Sequence, residues 1–358
     1  MHRVYPHSPA AGLAAPATGT RCLLFFLVLI ACATSCLAQP PLAADLVQDG
    51  QPIDLQQEKF GQLFAELRQK YGFSPQELEN TFKGAAIIRQ VLVLMDKQWE
   101  AKPYYHYAPL FITAENIRNG KEKLLQHRQL LDRVEATFGV DRETVVAIWG
   151  VETKYGAREG NFDVLQTLLT LFDAYPRRSD FFRGQLIHFL TLCKENQINP
   201  QGVKGSYAAA FGQTQFIPSS FREYAVDFDG DGKRDVWNSV PDILASIANY
   251  LKRHHWTFNA PVYADLGNVL GGPALAAAEQ KGRKEKVAFD QVGKIQGIQL
   301  PPSPGNRPLT IVGLELPPGG PYPKRYVAGY PNFQAITEWN HSNRYAMAVS
   351  ELAEAFNR

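Results

Sequence analysis

The chain predicts an α+β fold that is mainly α-helical, and three observations carry that expectation. Apolar residues recur at helical spacing through most of 55–258 and again near the end. Helix start and stop signals punctuate those stretches, as at Ser74-Pro75-Gln76-Glu77 and Gly139. Short β-prone runs such as LTIVGLEL at 309–316 fall in a Pro- and Gly-rich stretch, 283–330. With 358 residues, 45% of them hydrophobic, the chain can bury one large core or two or three lobes that share a cleft. A formal charge of +2 from 37 basic and 35 acidic residues, with no basic run, gives no electrostatic case for a nucleic-acid partner.

Taken in order, residues 1–38 read as a secretory signal. Arg21 precedes an apolar run from Cys22 to Ala33, too short to span a bilayer comfortably, and Ala38 with Cys36 two residues before it suits a cut ahead of Gln39. Leu29-Ile30-Ala31-Cys32 also resembles a lipobox, which would lipidate Cys32 and anchor the chain to a membrane. Either route exports the protein. Cleavage before Gln39 leaves Cys193 alone of the four cysteines, so packing and a bound ion, rather than a disulfide, must hold the fold. A polar connector follows at 39–54.

A helical module over 55–138 leads into the core. Phe60, Leu63, Phe64 and Leu67 share one face, and a further helix is expected from 114 to 138, ending at Gly139. Residues 139–258 form the central unit. It holds a helix around 145–156, two helices in 163–198 separated at Tyr175-Pro176, and another at 239–256 with Ile243, Ile247 and Tyr250 on one face. A small β-rich module is expected over 259–330. The chain then returns over 331–358, with a helix at 344–357.

Within VVAIWGVETKYG, residues 145–156, Val145, Ile148, Trp149 and Glu152 recur at helical spacing, so one carboxylate shares a face with core residues. Asp141 is placed to cap this helix and Gly156 to end it. Desolvation disfavours the charged form of such an acid and raises its pKa, which a proton donor near neutral pH requires. Lys154, two positions on, points away. The plainer reading is a buried Glu paired with an Arg.

Asp227-Phe228-Asp229-Gly230-Asp231-Gly232-Lys233-Arg234-Asp235 sets carboxylates at loop positions 1, 3, 5 and 9, a backbone carbonyl at Lys233, and glycine at position 6. Hard oxygen ligands at alternate positions around a sharp turn suit calcium. Position 12, normally a bidentate Glu, is Asn238, and Asp242 at the start of the next helix is the substitute. A single loop of this kind suits a structural ion. A third segment, GSYAAAFGQTQFIPSSF at 205–221, combines small residues that permit close backbone approach with Ser206, Tyr207, Gln213 and Gln215, neutral groups suited to sugars. Small residues also serve helix packing.

GVETKYG at 150–156, Tyr175-Pro176-Arg177-Arg178, GSYAAAFGQTQFIPSS at 205–220 and YAVDFDGDGKRDVW at 224–237 together resemble the membrane-bound lytic murein transglycosylase B family, glycoside hydrolase family 103. The resemblance covers about 55–355. It implies a lysozyme-like core with a helical N-terminal module and a small β module. The activity it implies is cleavage of the β-1,4 bond between N-acetylmuramic acid and N-acetylglucosamine in peptidoglycan, leaving 1,6-anhydromuramic acid ends. By motif, Glu152 matches the single catalytic acid/base, and Ser206, Gln215 and Tyr250 match sugar-contacting positions. ITEWNHSNRYAMAV at 336–349 resembles the last cleft segment, which adds Asn340 and Tyr345. Trp339 stands where the family pattern has Tyr; its indole can stack on a sugar while the phenol hydrogen bond is lost. Gln213-Thr214 replaces Tyr-Gly, and Phe211 replaces Met. The loop resembles the family's calcium site, with Asp242 matched across a one-residue insertion. The resemblance implies glycan strands as partner, calcium as the one cofactor and a monomer. A hydrolytic muramidase using the same Glu, or a non-catalytic wall-binding module, are the alternatives.

Overall fold

The computed structural model describes residues 42–96 and 102–358. The signal, the cut before Gln39 and the lipobox at Cys32 lie outside the described residues. Helix α1 (Glu58–Tyr71) forms where the apolar period places it: Phe60, Leu63 and Leu67 are fully buried, and Gly72 ends the helix in the left-handed conformation. Helix α2 (Pro75–Phe82) opens with a capping box, Ser74 Oγ accepting from the Glu77 amide while the Glu77 carboxylate accepts from the Ser74 amide. Helices α3 (Arg89–Asp96) and α4 (Tyr104–Tyr107) follow.

The single helix expected over 114–138 is two, α5 (Ala114–Gln126) and α6 (Arg128–Phe138). The break falls at His127, whose backbone leaves the helical region and whose ring packs against Trp149 with centroids 6.1 Å apart. Tertiary packing there overrides an unbroken local period. Gly139 ends α6 as expected.

Helix α7 (Arg142–Thr153) differs at both ends from its expected form. Asp141 holds the N-cap position, but its carboxylate accepts from Trp256 Nε1 at 2.7 Å and from the Asn259 amide at 3.1 Å instead of capping the helix. The helix stops at Thr153, because Lys154 and Tyr155 already adopt positive φ before Gly156 does. Residues from Thr144 to Val151 are all buried, so α7 is a core helix and not an amphipathic one.

Helices α8 (Val164–Ala174) and α9 (Ser179–Glu195) flank Tyr175-Pro176, as the proline predicts. Strands β1 (Phe162–Asp163) and β2 (Lys204–Gly205) pair antiparallel, and α10 (Pro218–Tyr224) and α11 (Val240–Arg253) complete the central region. In 205–221 the close approaches that glycine permits are internal: a Cβ on Gly205 would lie 2.3 Å from the Ala210 carbonyl oxygen, so the chain folds back on itself there.

Beyond it, strands β3 (Tyr263–Gly267), β4 (Thr310–Glu315) and β5 (Lys324–Gly329) form an antiparallel sheet in the order β3-β5-β4, with helices α12 (Pro273–Lys281) and α13 (Phe289–Gln296) packed beside it. The chain ends in α14 (Pro331–Asn340) and α15 (Asn343–Phe356). Helix α14 has no expectation behind it, since Pro331 to Phe333 and Ala335 to Thr337 are buried and no polar stripe marks its face.

Three buried clusters result among the described residues. One joins α1 to α3 with α8, α9 and Phe211, Phe216, Phe221 and Tyr250; a second joins α6, α7, α11, α14 and α15; the third underlies the sheet. Trp339 packs on both the first and the second, so it stands at their seam.

Candidate active site

The seam brings together three residues far apart in sequence. Glu152 sits in the last turn of α7, Trp339 near the end of α14 and Tyr345 in the first turn of α15. Trp339 Nε1 donates to Glu152 Oε1 at 2.8 Å, and Tyr345 Oη donates to the same oxygen at 2.5 Å. Among the described residues only this oxygen of Glu152 receives hydrogen bonds. Burial pushes the Glu152 carboxyl up to about 7, against the opposing effect of the bonds from Tyr345 and Trp339. Neither a cation nor a second carboxylate contributes to that shift, and among the described residues Glu152 has no ion pair, which removes the Arg-paired reading. Burial, with the adjacent Glu152 charge, holds the Tyr345 phenol well above its ordinary range, so it stays a donor.

Trp339 therefore supplies a hydrogen bond by its indole N–H, and the bond expected to be lost with the Tyr is present in another form. Its ring meets Tyr250 edge-on at 4.6 Å and Phe216 at 5.1 Å. Tyr250 Oη donates to the Glu338 carbonyl at 2.8 Å and so ties α11 to α14. Alongside runs a cleft of about 630 Å³, whose walls include Gln215, Phe216, Tyr224, Tyr250, Trp339 and Asn340. Glu152 meets this cleft through Trp339.

The remaining candidates separate. Gln215 lines the cleft with φ 49°, its Nε2 donating to the Glu159 and Gly212 carbonyls. Ser206 Oγ accepts from the Ala208 and Ala210 amides and closes its own loop. Gln213 is spent inside the protein: Oε1 accepts from Trp149 Nε1 at 2.8 Å and Nε2 donates to the Trp237 carbonyl at 2.7 Å. Ser206, Tyr207 and Gln213 are not among the residues of the cleft wall. Phe216, Tyr224, His254 and Glu338 are, and sequence reasoning did not single them out. Phe216 and Tyr224 lie inside the motifs quoted above. His254, stacked on Tyr250 at 4.4 Å, carries no local signal.

In the 227–242 loop, one carboxylate oxygen each from Asp227, Asp229 and Asp242 lie within 4.8 Å of one another. Asp242 is fully buried, accepting from the Phe228 amide at 2.7 Å and the Asp235 amide at 2.8 Å. Burial raises its pKa, with the Asp229 charge adding to the effect against those two amides. Asp231 accepts from the Lys233 amide and Asp235 from the Trp237 and Asn238 amides, and neither carboxylate belongs to the cluster. Three clustered hard oxygen donors, one of them buried, fit a cation of the calcium type.

A transglycosylase SLT domain model matches residues 56–354. The chain belongs to that family. It is 36% identical to membrane-bound lytic murein transglycosylase B of Escherichia coli over 296 residues, 80% of this chain and 79% of the relative. The structure is similar to that of the E. coli lytic transglycosylase Slt35 in complex with calcium, with a TM-score of 0.75, 35% identity, and coverage of 86% of this chain and 95% of the other. It is also similar to SltB3 from Pseudomonas aeruginosa in complex with NAG-anhNAM-pentapeptide, with a TM-score of 0.70, 34% identity, and coverage of 84% and 79%. As a family member this chain is a lytic transglycosylase acting on peptidoglycan, built on a mainly helical, lysozyme-like fold.

Proposed function

We propose that Glu152 alone carries both proton transfers in cleavage of the β-1,4 bond between N-acetylmuramic acid and N-acetylglucosamine. The observation that carries this reading is the carboxyl raised to about 7 with both hydrogen bonds on Oε1. Trp339 is a donor only, so Oε1 accepts and the acidic proton belongs on Oε2. Protonated Glu152 gives that proton to the glycosidic oxygen, and the muramic residue passes through an oxocarbenium-like state. Ionised Glu152, now stabilised by Tyr345 and Trp339, takes the proton of the 6-hydroxyl as that oxygen attacks carbon 1. The product is a 1,6-anhydromuramic acid end, and no water enters.

Gln215, Tyr250 and Asn340 are assigned to the sugar through the cleft. Ser206, Tyr207 and Gln213 are assigned to holding the 205–221 segment, which carries the cleft residues Gln215 and Phe216. Asp227, Asp229 and Asp242 would hold a structural calcium with carbonyl or water ligands, and its charge would offset the buried Asp242; Asp231, Lys233 and Asp235 would complete the loop. The enzyme is assigned to the periplasm, soluble or anchored through Cys32, as a monomer. Mass spectrometry of muropeptides released from purified peptidoglycan tests the chemistry. Products lighter by one water than their reducing-end counterparts are expected, and reducing ends would mean a muramidase.

A further inference from the structure

Tyr155, three residues after Glu152, has φ 60° and follows Lys154 at φ 50°. Two successive side chains in the left-handed region are strained, and such strain persists only where the surroundings over-determine it. Here they do. The Tyr155 phenol donates to the Asn116 carbonyl of α5 at 2.8 Å, and its ring meets Trp149 edge-on at 5.6 Å. Two glycines make room for it: a Cβ on Gly120 of α5 or on Gly150 of α7 would lie 2.6 Å from the phenol oxygen. The ring is seated in a slot between the two helices that exists because neither position carries a side chain.

What the slot holds is the end of α7. The Lys154 amide donates to the Gly150 carbonyl at 3.0 Å and the Tyr155 amide to the Trp149 carbonyl at 3.4 Å, so these two residues close the turn that carries Glu152. Helix ends fray unless tied down, and a loosened turn would draw Glu152 away from Trp339 and Tyr345, which reach it from α14 and α15. Tyr155 itself is not among the residues of the cleft wall. We propose that Tyr155 is a positioning residue: seated between Gly120 and Gly150, it locks the last turn of α7 and so fixes Glu152 against its two donors. This deepens the reading of Glu152 as the proton carrier and rests on it.

The test compares the parent chain with Tyr155→Ala, Tyr155→Phe, Gly150→Ala and the double variant Tyr155→Ala with Gly150→Ala. In Gly150→Ala the phenol stays in the chain but loses its seat, while Ala favours the helix over Gly, so a loss there is not one of helix formation. On purified peptidoglycan, Tyr155→Ala and Gly150→Ala should each lower kcat by about 10- to 100-fold, the scale of a reacting group displaced by about 1 Å, with KM unchanged. Tyr155→Phe, which keeps the ring, should retain most of the activity. The double variant should be no worse than Tyr155→Ala, because the added methyl has nothing left to displace. Carbon-13 NMR of the Glu152 carboxyl, assigned by the signal lost in Glu152→Gln, reads its titration without turnover. Burial holds that carboxyl at about 7, and Tyr345 and Trp339 are the side chains that bond it, so partial release to solvent should move it down toward 4.5, by about one unit, in both single variants that empty or fill the slot. Gly150→Ala carries the test where Tyr155→Ala does not fold. An unmoved titration with kcat intact in Gly150→Ala, a raised KM in place of a lowered kcat, or additive losses in the double variant would overturn the proposal. Reducing ends in place of anhydro ends from the parent chain, with the variant losses intact, would sink the water-free chemistry and leave the role of Tyr155 standing.

Discussion

Glu152 and the acids of the 227–242 loop carry the same functional group in opposite surroundings. Glu152 stands by itself at a seam of aromatic residues, held by two neutral donors on one oxygen. In the loop, Asp227 and Asp229 are exposed and crowd the buried Asp242 with further negative charge. The difference teaches how surroundings suit one functional group to the part of an acid or of a ligand. Desolvation without a countercharge biases a carboxyl toward its protonated form, while carboxylates gathered around backbone turns fit a cation.

Four experiments would break or sharpen that contrast. The largest effect is expected from Glu152→Gln, which should lower turnover on peptidoglycan by about 10³-fold or more while wall binding persists, because the amide cannot transfer the proton. A variant that retained half its activity would end the comparison.

The same substitution should raise stability at pH 8. Between pH 4.5, the ordinary value for this carboxyl, and about 7, the unfolded chain ionises Glu152 while the folded chain keeps its proton, so the unfolded state binds fewer protons and stability falls as pH rises. Above pH 7 the full cost, about 3 kcal/mol, is present, and below pH 4 it is absent. Denaturant unfolding of both proteins at pH 4 and pH 8 should show the variant ahead only at pH 8.

Calcium is the corresponding probe of the loop. At a hundredfold excess over its dissociation constant it should add about 2.7 kcal/mol, and chelation should lower the thermal midpoint by several degrees. An unmoved midpoint after verified ion removal would leave the acids as a solvated turn. Asp242→Asn should abolish the calcium response without touching the alkaline limb of activity.

The smallest expected effect is a shift of that limb. Tyr345→Phe removes a donor that favours ionised Glu152, so the Glu152 pKa rises and the fall in kcat/KM above pH 7 should move up by about one unit. Trp339→Phe should act in the same direction, and Trp339→Tyr should restore the original profile. A downward shift in either Phe variant would contradict the assignment of Oε1 as the accepting oxygen.

Much of this was legible along the chain. Phe60, Leu63 and Leu67 mark α1 by their period, Ser74 and Glu77 write the start of α2 in four residues, and Tyr175-Pro176 separates α8 from α9, because each signal acts within one or two helical turns. The break at His127 and the helix α14 were not, since the first depends on Trp149 and the second is buried too evenly to show a period. Glu152 was legible as an acid among apolar neighbours, and the 227–235 loop as alternating acids.

The sequence by itself determined the helical character, the family and the residues able to do chemistry, all of which are written in local spacing. Only the tertiary structure decided which of those residues meet. It set Trp339 and Tyr345, 187 and 193 positions from Glu152, on one oxygen, turned Gln213 inward between two tryptophans, and joined Asp242 to the first acids of its loop. Such meetings follow from how separate cores close against each other, and no local period records a contact whose partners come together only when that packing is complete.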